Sequence, residues 1–323
     1  MSRGSLAIVC ALAGVAAAEA PAQPTTPAPS NPGLIERSRL EVQPGGRAIH
    51  QLSIENPLGD VKIEGYDGTS IQIESRKQAP DEEALDRLRI SLVPNPDGTV
   101  RITTTADGGK EFKTLGRSQV RIDLLIRAPR DARITAALSA GSLEVNNMDA
   151  GGDLGTSSGP ISVRNVSGGV STHSVSGATS ITQVFGSVDA QTISANLDLD
   201  TIGGERLIAS ANRGQIAGRR VRARDVELTT VTGKIFLEAE TSLRGRLVVS
   251  SLRGDVDVKL RRQGAISIRA RGSKVNLGSA AANAKTQQDG WIYSQLGQVN
   301  GTSAPALIEL RSRYGLVQFA IIE

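Results

Sequence analysis

The chain has 323 residues, 39% of them hydrophobic and only 2% aromatic, so Val, Ile, Leu and Ala must fill any interior. Its 37 Lys and Arg against 33 Asp and Glu leave a modest net charge of +4, which describes solubility and weak anion attraction rather than a fold. A single cysteine, Cys10, and two histidines, His50 and His173, exclude a Cys/His nucleophile pair and any closely spaced His/Cys metal motif.

Residues 1–22 read as a secretory signal peptide. Arg3 supplies the positive start, Leu6 to Ala18 a short apolar run, and Ala16, Ala18, Ala20 and Ala22 offer small-residue cleavage sites. The run falls short of the roughly 20 residues a membrane span needs. Cys10 lies inside it, so the mature chain is expected to lack thiols and disulfides, and to be exported to the periplasm, the cell surface or the exterior. Residues 23–33 are rich in Pro, Ala and Thr and read as a linker.

From Leu34 the pattern becomes strand-like. Alternating runs cover 47–55, 61–63, 71–73, 90–93, 100–104 and 120–126, separated by turns such as Asn56-Pro57-Leu58-Gly59-Asp60 and Pro94-Asn95-Pro96-Asp97-Gly98. Ala79 to Leu88, with acids in its first turn, is the one helical candidate. Asp107 to Gly116 reads as a polar loop. These residues, 34–130, form an N-terminal β region of one coil plus hairpins and the short helix.

Residues 131–323 read as a solenoid with a C-terminal cap. Glycines recur at Gly141, Gly159, Gly177, Gly214, Gly233, Gly254 and Gly272, with Asn196 expected to stand in once, and each precedes an alternating apolar run. A fixed short period is the mark of a solenoid. A second glycine series (Gly152, Gly169, Gly186, Gly204, Gly245, Gly264) gives two strands per coil of about 18–20 residues, with inward aliphatics stacking from coil to coil. Trp291, Tyr293 and Tyr314 gather where the spacing breaks down, and Trp291 is expected to be core of the cap that covers the last coil.

Two segments carry a resemblance. Asn56 to Gly68 has a glycine, an alternating strand and a glycine-aromatic-aspartate turn. Val120 to Pro129 is a long strand ending in Ala-Pro, followed by the glycine repeats. Together they resemble the bacterial candidate-adhesin family of unknown function, related to the head-GIN domains, over about Ile35 to Glu323. That resemblance implies an all-β, right-handed parallel β-solenoid and carries no catalytic residues to transfer.

Little else points to chemistry. Thr232-Gly233-Lys234 lacks the glycine spacing of a phosphate loop, and no pattern calls for a cofactor. His173 reads as solvated on an outer face. Asp198 and Asp200 lie on one strand face about 7 Å apart, a separation known from paired-carboxylate glycosidases, but no aromatic subsite is near. An envelope polysaccharide-active enzyme using this pair is one alternative to a non-enzymatic role, and a self-assembling rod is another. Charge is uneven: residues 131–200 carry seven acids and two arginines, whereas 201–275 carry sixteen Lys and Arg and seven acids. Arg213, Arg253 and Arg271 each precede a repeat glycine, and with Arg244 and Arg262 they form a candidate face for an anionic envelope polymer or lipid head groups. Nucleic acid is excluded as a partner by expected export and the scarcity of aromatics. The pattern leaves oligomeric state open. The expected role is structural, adhesive or ligand-displaying at the bacterial cell envelope.

Overall fold

The computed structural model describes residues 33–43, 47–107, 120–240, 245–297 and 304–322. The expected signal peptide, the linker up to Pro32, all but the first residue of the 107–116 loop, and Arg244 lie outside them. Residues Gly33–Glu323 form one compact unit. Among the described residues no helix is long and apolar enough to cross a membrane.

In chain order the first strands are β1 (Leu34–Val42), β2 (Gln51–Asn56), β3 (Val61–Tyr66), β4 (Ile71–Ala79), β5 (Leu88–Pro94), β6 (Thr99–Ala106) and β7 (Arg121–Pro129). Between β4 and β5 sits the helix α1 (Glu82–Asp86), shorter than the sequence pattern suggested; the Asp81 carboxylate caps it by accepting from the Ala84 amide at 2.7 Å. The repeats follow as pairs: β8 (Arg133–Leu138) and β9 (Leu143–Met148), β10 (Gly152–Thr156) and β11 (Ile161–Val166), β12 (Val170–Ser174) and β13 (Thr179–Val184), β14 (Val188–Thr192) and β15 (Leu197–Ile202), β16 (Arg206–Arg213) and β17 (Ile216–Val221), β18 (Asp225–Thr232) and β19 (Ile235–Glu240), β20 (Arg246–Arg253) and β21 (Val256–Arg261). The chain ends with β22 (Ile266–Arg271), β23 (Lys274–Asn276), a 3-10 turn at Gly278–Asn283, β24 (Lys285–Thr286), β25 (Ile292–Leu296), β26 (Ala306–Ser312) and β27 (Leu316–Ile321).

These strands build two long sheets, one of 13 strands and one of 14. Odd-numbered repeat strands stack in the first sheet and even-numbered ones in the second, all parallel, so each coil contributes one strand to each sheet. This is the two-strand β-solenoid that the glycine period implied. The inward row Leu143, Ile161, Thr179, Leu197, Ile216, Ile235, Val256 and Val317 is buried throughout and advances one residue per coil. At about 4.8 Å per coil, each aliphatic packs on its equivalent above and below. The interior is a single hydrophobic cluster running from Val42 to Phe319.

The corner between the second sheet and the first explains the glycines. A Cβ at Gly159 would lie 1.5 Å from the Gly141 carbonyl oxygen of the preceding coil, and one at Gly177 1.7 Å from that of Gly159. Coil stacking leaves that position no side chain. Three residues upstream, a buried Ser or Thr holds the turn: the Gly159 amide donates to Thr156 Oγ1 (3.1 Å), Gly177 to Ser174 Oγ (2.9 Å) and Gly315 to Ser312 Oγ (2.9 Å). The corner is thus a Ser/Thr-x-x-Gly turn whose two middle residues point outward.

Register corrects three sequence expectations. Leu197 pairs with Thr179, so the residue in the glycine row is Ala195 and not Asn196; the Gly214 position abuts the Ala195 carbonyl. The Asn196 side chain instead accepts from the Gln215 amide at 2.9 Å, one residue along. Gly272 is also out of the row. Lys274 pairs with Leu316, which puts Ser273 level with Gly315, and both its amide and its hydroxyl bond the Gly315 carbonyl. The third concerns the end of the chain. The coil β26–β27 does not follow β22–β23 along the stack. It is inserted before it: β26 lies between β20 and β22, and β27 between β21 and β23.

A further row was not foreseen. Asn147, Asn165, Gln183, Thr201 and Arg220 all adopt positive φ between 51° and 59°, one per coil, at a bulge near the end of the first-sheet strands. Side chains along this row are linked. Asn165 donates to Asn147 at 2.6 Å, Asn147 bonds Glu64, and Arg220 donates to Thr201 at 3.0 Å. Such hydrogen bonding supports backbone that L-residues otherwise avoid.

Candidate functional site

Two concavities of useful size occupy opposite ends of the stack. The first, about 690 Å³, lies on the outer face of the first sheet where β1, β4, β7 and β3 meet. It is charged, and most of its charges answer one another; Arg37, level with Arg76 across the β1–β4 ladder, has no carboxylate within salt-bridge distance among the described residues. Arg121 bonds both Asp60 and Asp123 at 2.6 Å, Arg39 faces Glu74 at 3.8 Å, Arg76 faces Asp123 at 3.8 Å, and Lys62 faces Glu144 at 3.4 Å. Burial opposes ionisation of Asp60, but the Ser142 amide at 2.7 Å and the Arg121 guanidinium outweigh it and hold the carboxyl below its ordinary range. An incoming anion would have to displace internal partners.

The second concavity, about 440 Å³, lies on the outer face of the second sheet across β20, β26, β22 and β25. Pairing there is dictated by the inserted coil. Val248, Glu309 and Arg269 fall in one row, with Tyr293 next across the antiparallel β22–β25 contact. Arg269 pairs with Glu309, whose hydrogen bond raises the guanidinium pKa further. Its guanidinium also sits 5.2 Å from the Trp291 ring centre. Two residues along, Arg271 pairs with Arg311. Arg246 and the exposed Leu307 sit side by side on the other flank. This surface holds more uncompensated charge than the first groove. Arg246, Arg271 and Arg311 have no carboxylate within salt-bridge distance among the described residues, whereas Arg220, Arg222, Lys234 and Arg269 do. A shallower depression of about 210 Å³, lined by Arg206, Ile208, Asp225 and Glu227, continues it along the sheet.

Trp291 is therefore not cap core. It is half-buried on the outer face, flat against a cation, because the strand that follows it runs antiparallel to β22 and leaves residues 281–290 exposed. The aromatic that fills the interior is Phe319, 1% exposed, on the inserted β27.

Of the five arginines of the candidate face, Arg244 lies outside the described residues, and the other four do not share one surface. Arg213, Thr232 and Arg253 form a single row at the Ser/Thr-x-x-Gly corner. Arg271 lies on the sheet face beside the aromatic cleft. Arg262 stands at the opposite corner, donating to the Gly264 carbonyl at 3.3 Å. Asp198 and Asp200 do share an outer face, but Asp200 is ion-paired with Arg220 and accepts from Thr201 at 3.3 Å, and neither lines the concavities described.

No family profile and no curated protein sequence matches the chain. Solved structures do resemble it. A candidate lipid binding protein from Parabacteroides distasonis is 11% identical with a TM-score of 0.43, covering 90% of this chain and 98% of that one. A candidate adhesin from Bacteroides fragilis is 11% identical with a TM-score of 0.38, covering 90% and 97%. A candidate cell adhesion protein from Clostridium sporogenes is 11% identical with a TM-score of 0.26, covering 90% and 100%. At such identities and scores the fold assignment rests on the strand pairing itself.

Proposed function

We propose that this chain is an exported, non-enzymatic β-solenoid that holds an anionic polymer of the bacterial envelope on the C-terminal end of its second sheet. The observation that carries the reading is the pairing of Arg271 with Arg311 beside half-buried Trp291 and Tyr293, with Arg246 across the cleft and no carboxylate within salt-bridge distance of these three cations among the described residues. Cations without internal partners favour an anionic ligand, and the aromatic rings offer flat faces to sugar rings. The signal-like residues 1–22, and the absence of cysteine after Cys10, support export.

Trp291 is the only tryptophan and so reports on the site directly. Titration with polygalacturonate should change its emission, with affinity falling steeply as salt rises. Replacing Arg271 and Arg311 by Glu should weaken binding by at least about tenfold, as expected for losing two charge contacts. Neutral dextran should have no effect. Unchanged Trp291 emission at saturating polymer, or wild-type affinity in the double variant, would remove this reading.

A further inference from the structure

The two middle side chains of each Ser/Thr-x-x-Gly corner point outward and fill no core space, so their identity is informative; at the polar corners the second hydroxyl reaches the preceding coil, Ser158 donating to the Ser139 carbonyl and Ser176 to the Ser157 carbonyl, each at 3.1 Å. In the coil of β10 they are Ser157 and Ser158. In later coils the first of the two becomes aliphatic: Val175, Ile193, Val231 and Leu252, between 37% and 42% exposed. The second becomes basic at Arg213 and Arg253. Register stacks the first set in one row and the second in the row beside it. Isolated exposed aliphatics are ordinary on any surface. A straight file of them along one corner, four within five consecutive coils, is not. The file ends at Arg313 and Tyr314, which stack at 5.3 Å.

We infer that this corner ridge lies on an anionic lipid surface, its aliphatic row entering the headgroup region while Arg213, Arg253 and Arg313 meet lipid phosphate. Charge selects the occupant. Along the corner from β12 to β26 the only acid between the sheet-face row of His173 and Arg311 and the first strand of the next sheet is Asp255, and Lys234 faces it at 3.9 Å. A second copy docked ridge to ridge would bring arginine rows together, which disfavours self-association through this edge. A bilayer supplies both an apolar layer and phosphates at the matching depth, and long side chains place their cations above a buried aliphatic stem. The ridge is separate from the aromatic cleft, so this inference does not depend on polymer binding there.

Co-sedimentation with vesicles tests it, using phosphatidylcholine alone and an equal mixture with phosphatidylglycerol. The mature protein should pellet with the mixed vesicles and not with phosphatidylcholine alone. Arg213→Glu with Arg253→Glu should lose at least tenfold in affinity, from roughly fivefold per arginine near such a surface. Replacing Val175, Ile193, Val231 and Leu252 by Ser, the residue present at 157, should lower affinity about tenfold or more without altering charge. Circular dichroism of that variant should match the parent, because all four side chains point outward. Wild-type vesicle binding by the serine variant would overturn the proposal. So would failure of the parent to bind mixed vesicles, or a concentration-dependent dimer that the serine substitutions abolish, which would assign the ridge to a second copy. Polygalacturonate titration of the serine variant should be unchanged, so the two surfaces succeed or fail independently.

Discussion

The two ends of the solenoid solve the same problem in opposite ways. At the N-terminal end the open edges are long: β1 has nine residues and β5 seven, both antiparallel to their neighbours. Exposed Leu34, Ile35, Leu40 and Val93 lie along them, interrupted by Glu36, Arg37, Arg39 and Glu41. Charged side chains on an edge deter pairing with another chain. At the C-terminal end the edges, β23 and β24, are three and two residues long, and β26 and β27 lie inside the stack as an inserted coil. The first end pairs most of its groove charges internally, Arg37 excepted. The second leaves arginines unanswered on its face. Protection by charge uses up ionic partners; protection by topology leaves cations available for a ligand.

Truncation should separate the two most sharply. Removing residues 304–323 deletes β26 and β27, taking Ile308, Leu310, Val317 and Phe319 out of the core. Each such loss costs about 2–5 kcal/mol, so the four together cost about 8–20 kcal/mol, as much as the whole margin of roughly 5–15 kcal/mol of a typical domain. Loss of a cooperative thermal transition is the expected result. Removing β1 deletes one buried residue of the hydrophobic cluster, Val42, and should leave a cooperative transition at lower temperature. If both truncations behave alike, the ends are not different in kind. Single substitutions repeat the contrast on a smaller scale. Phe319→Ala should cost about 3–5 kcal/mol in chemical denaturation, whereas Leu40→Ala, 42% exposed, should cost about 1 kcal/mol or less.

The smallest effect concerns acid. Asp60 has its pKa lowered in the folded state, so its ionised form stabilises the fold at neutral pH. That contribution is present above the unfolded-state value and is lost as pH falls through the lower folded value, below about pH 4. Asp60→Asn should flatten the acid limb of the stability curve and leave Trp291 emission unchanged. A parallel shift at all pH values would show that hydrogen bonding to Ser142, not ionisation, is what matters there.

Much of the repeat was legible from residues alone because its causes are local. Alternation set the inward rows, and the glycine at each corner reflects a carbonyl too close for a Cβ. The inserted coil was not legible. Gly315 stacks directly on Gly254 although β22 and β23 lie between them in sequence, and nothing near Gly315 states which of two flanking coils it will meet. The same insertion moved Trp291 to the outer face and Arg271 out of the row of Arg213 and Arg253. The positive-φ row escaped notice because Gln183, Thr201 and Arg220 are not residues that announce such a conformation. The outward corner positions were readable once the Ser/Thr-x-x-Gly turn was recognised, since Ser157, Val175, Ile193, Val231 and Leu252 occupy equivalent places.

The inserted coil also sets an order of events. Coils from β8 to β21 can assemble one after another as the chain emerges, since each needs only its predecessor. β22 cannot join them in that way. Its parallel partner is β26, and the gap between it and β20 stays open until Ala306 to Ile321 arrives. A chain delivered amino end first across a membrane would hold this apolar seam unsealed until Ala306 to Ile321 had followed. The sixteen residues from Ala306 to Ile321 act as a keystone, and a protease that reached them before closure would find the whole C-terminal arch still open.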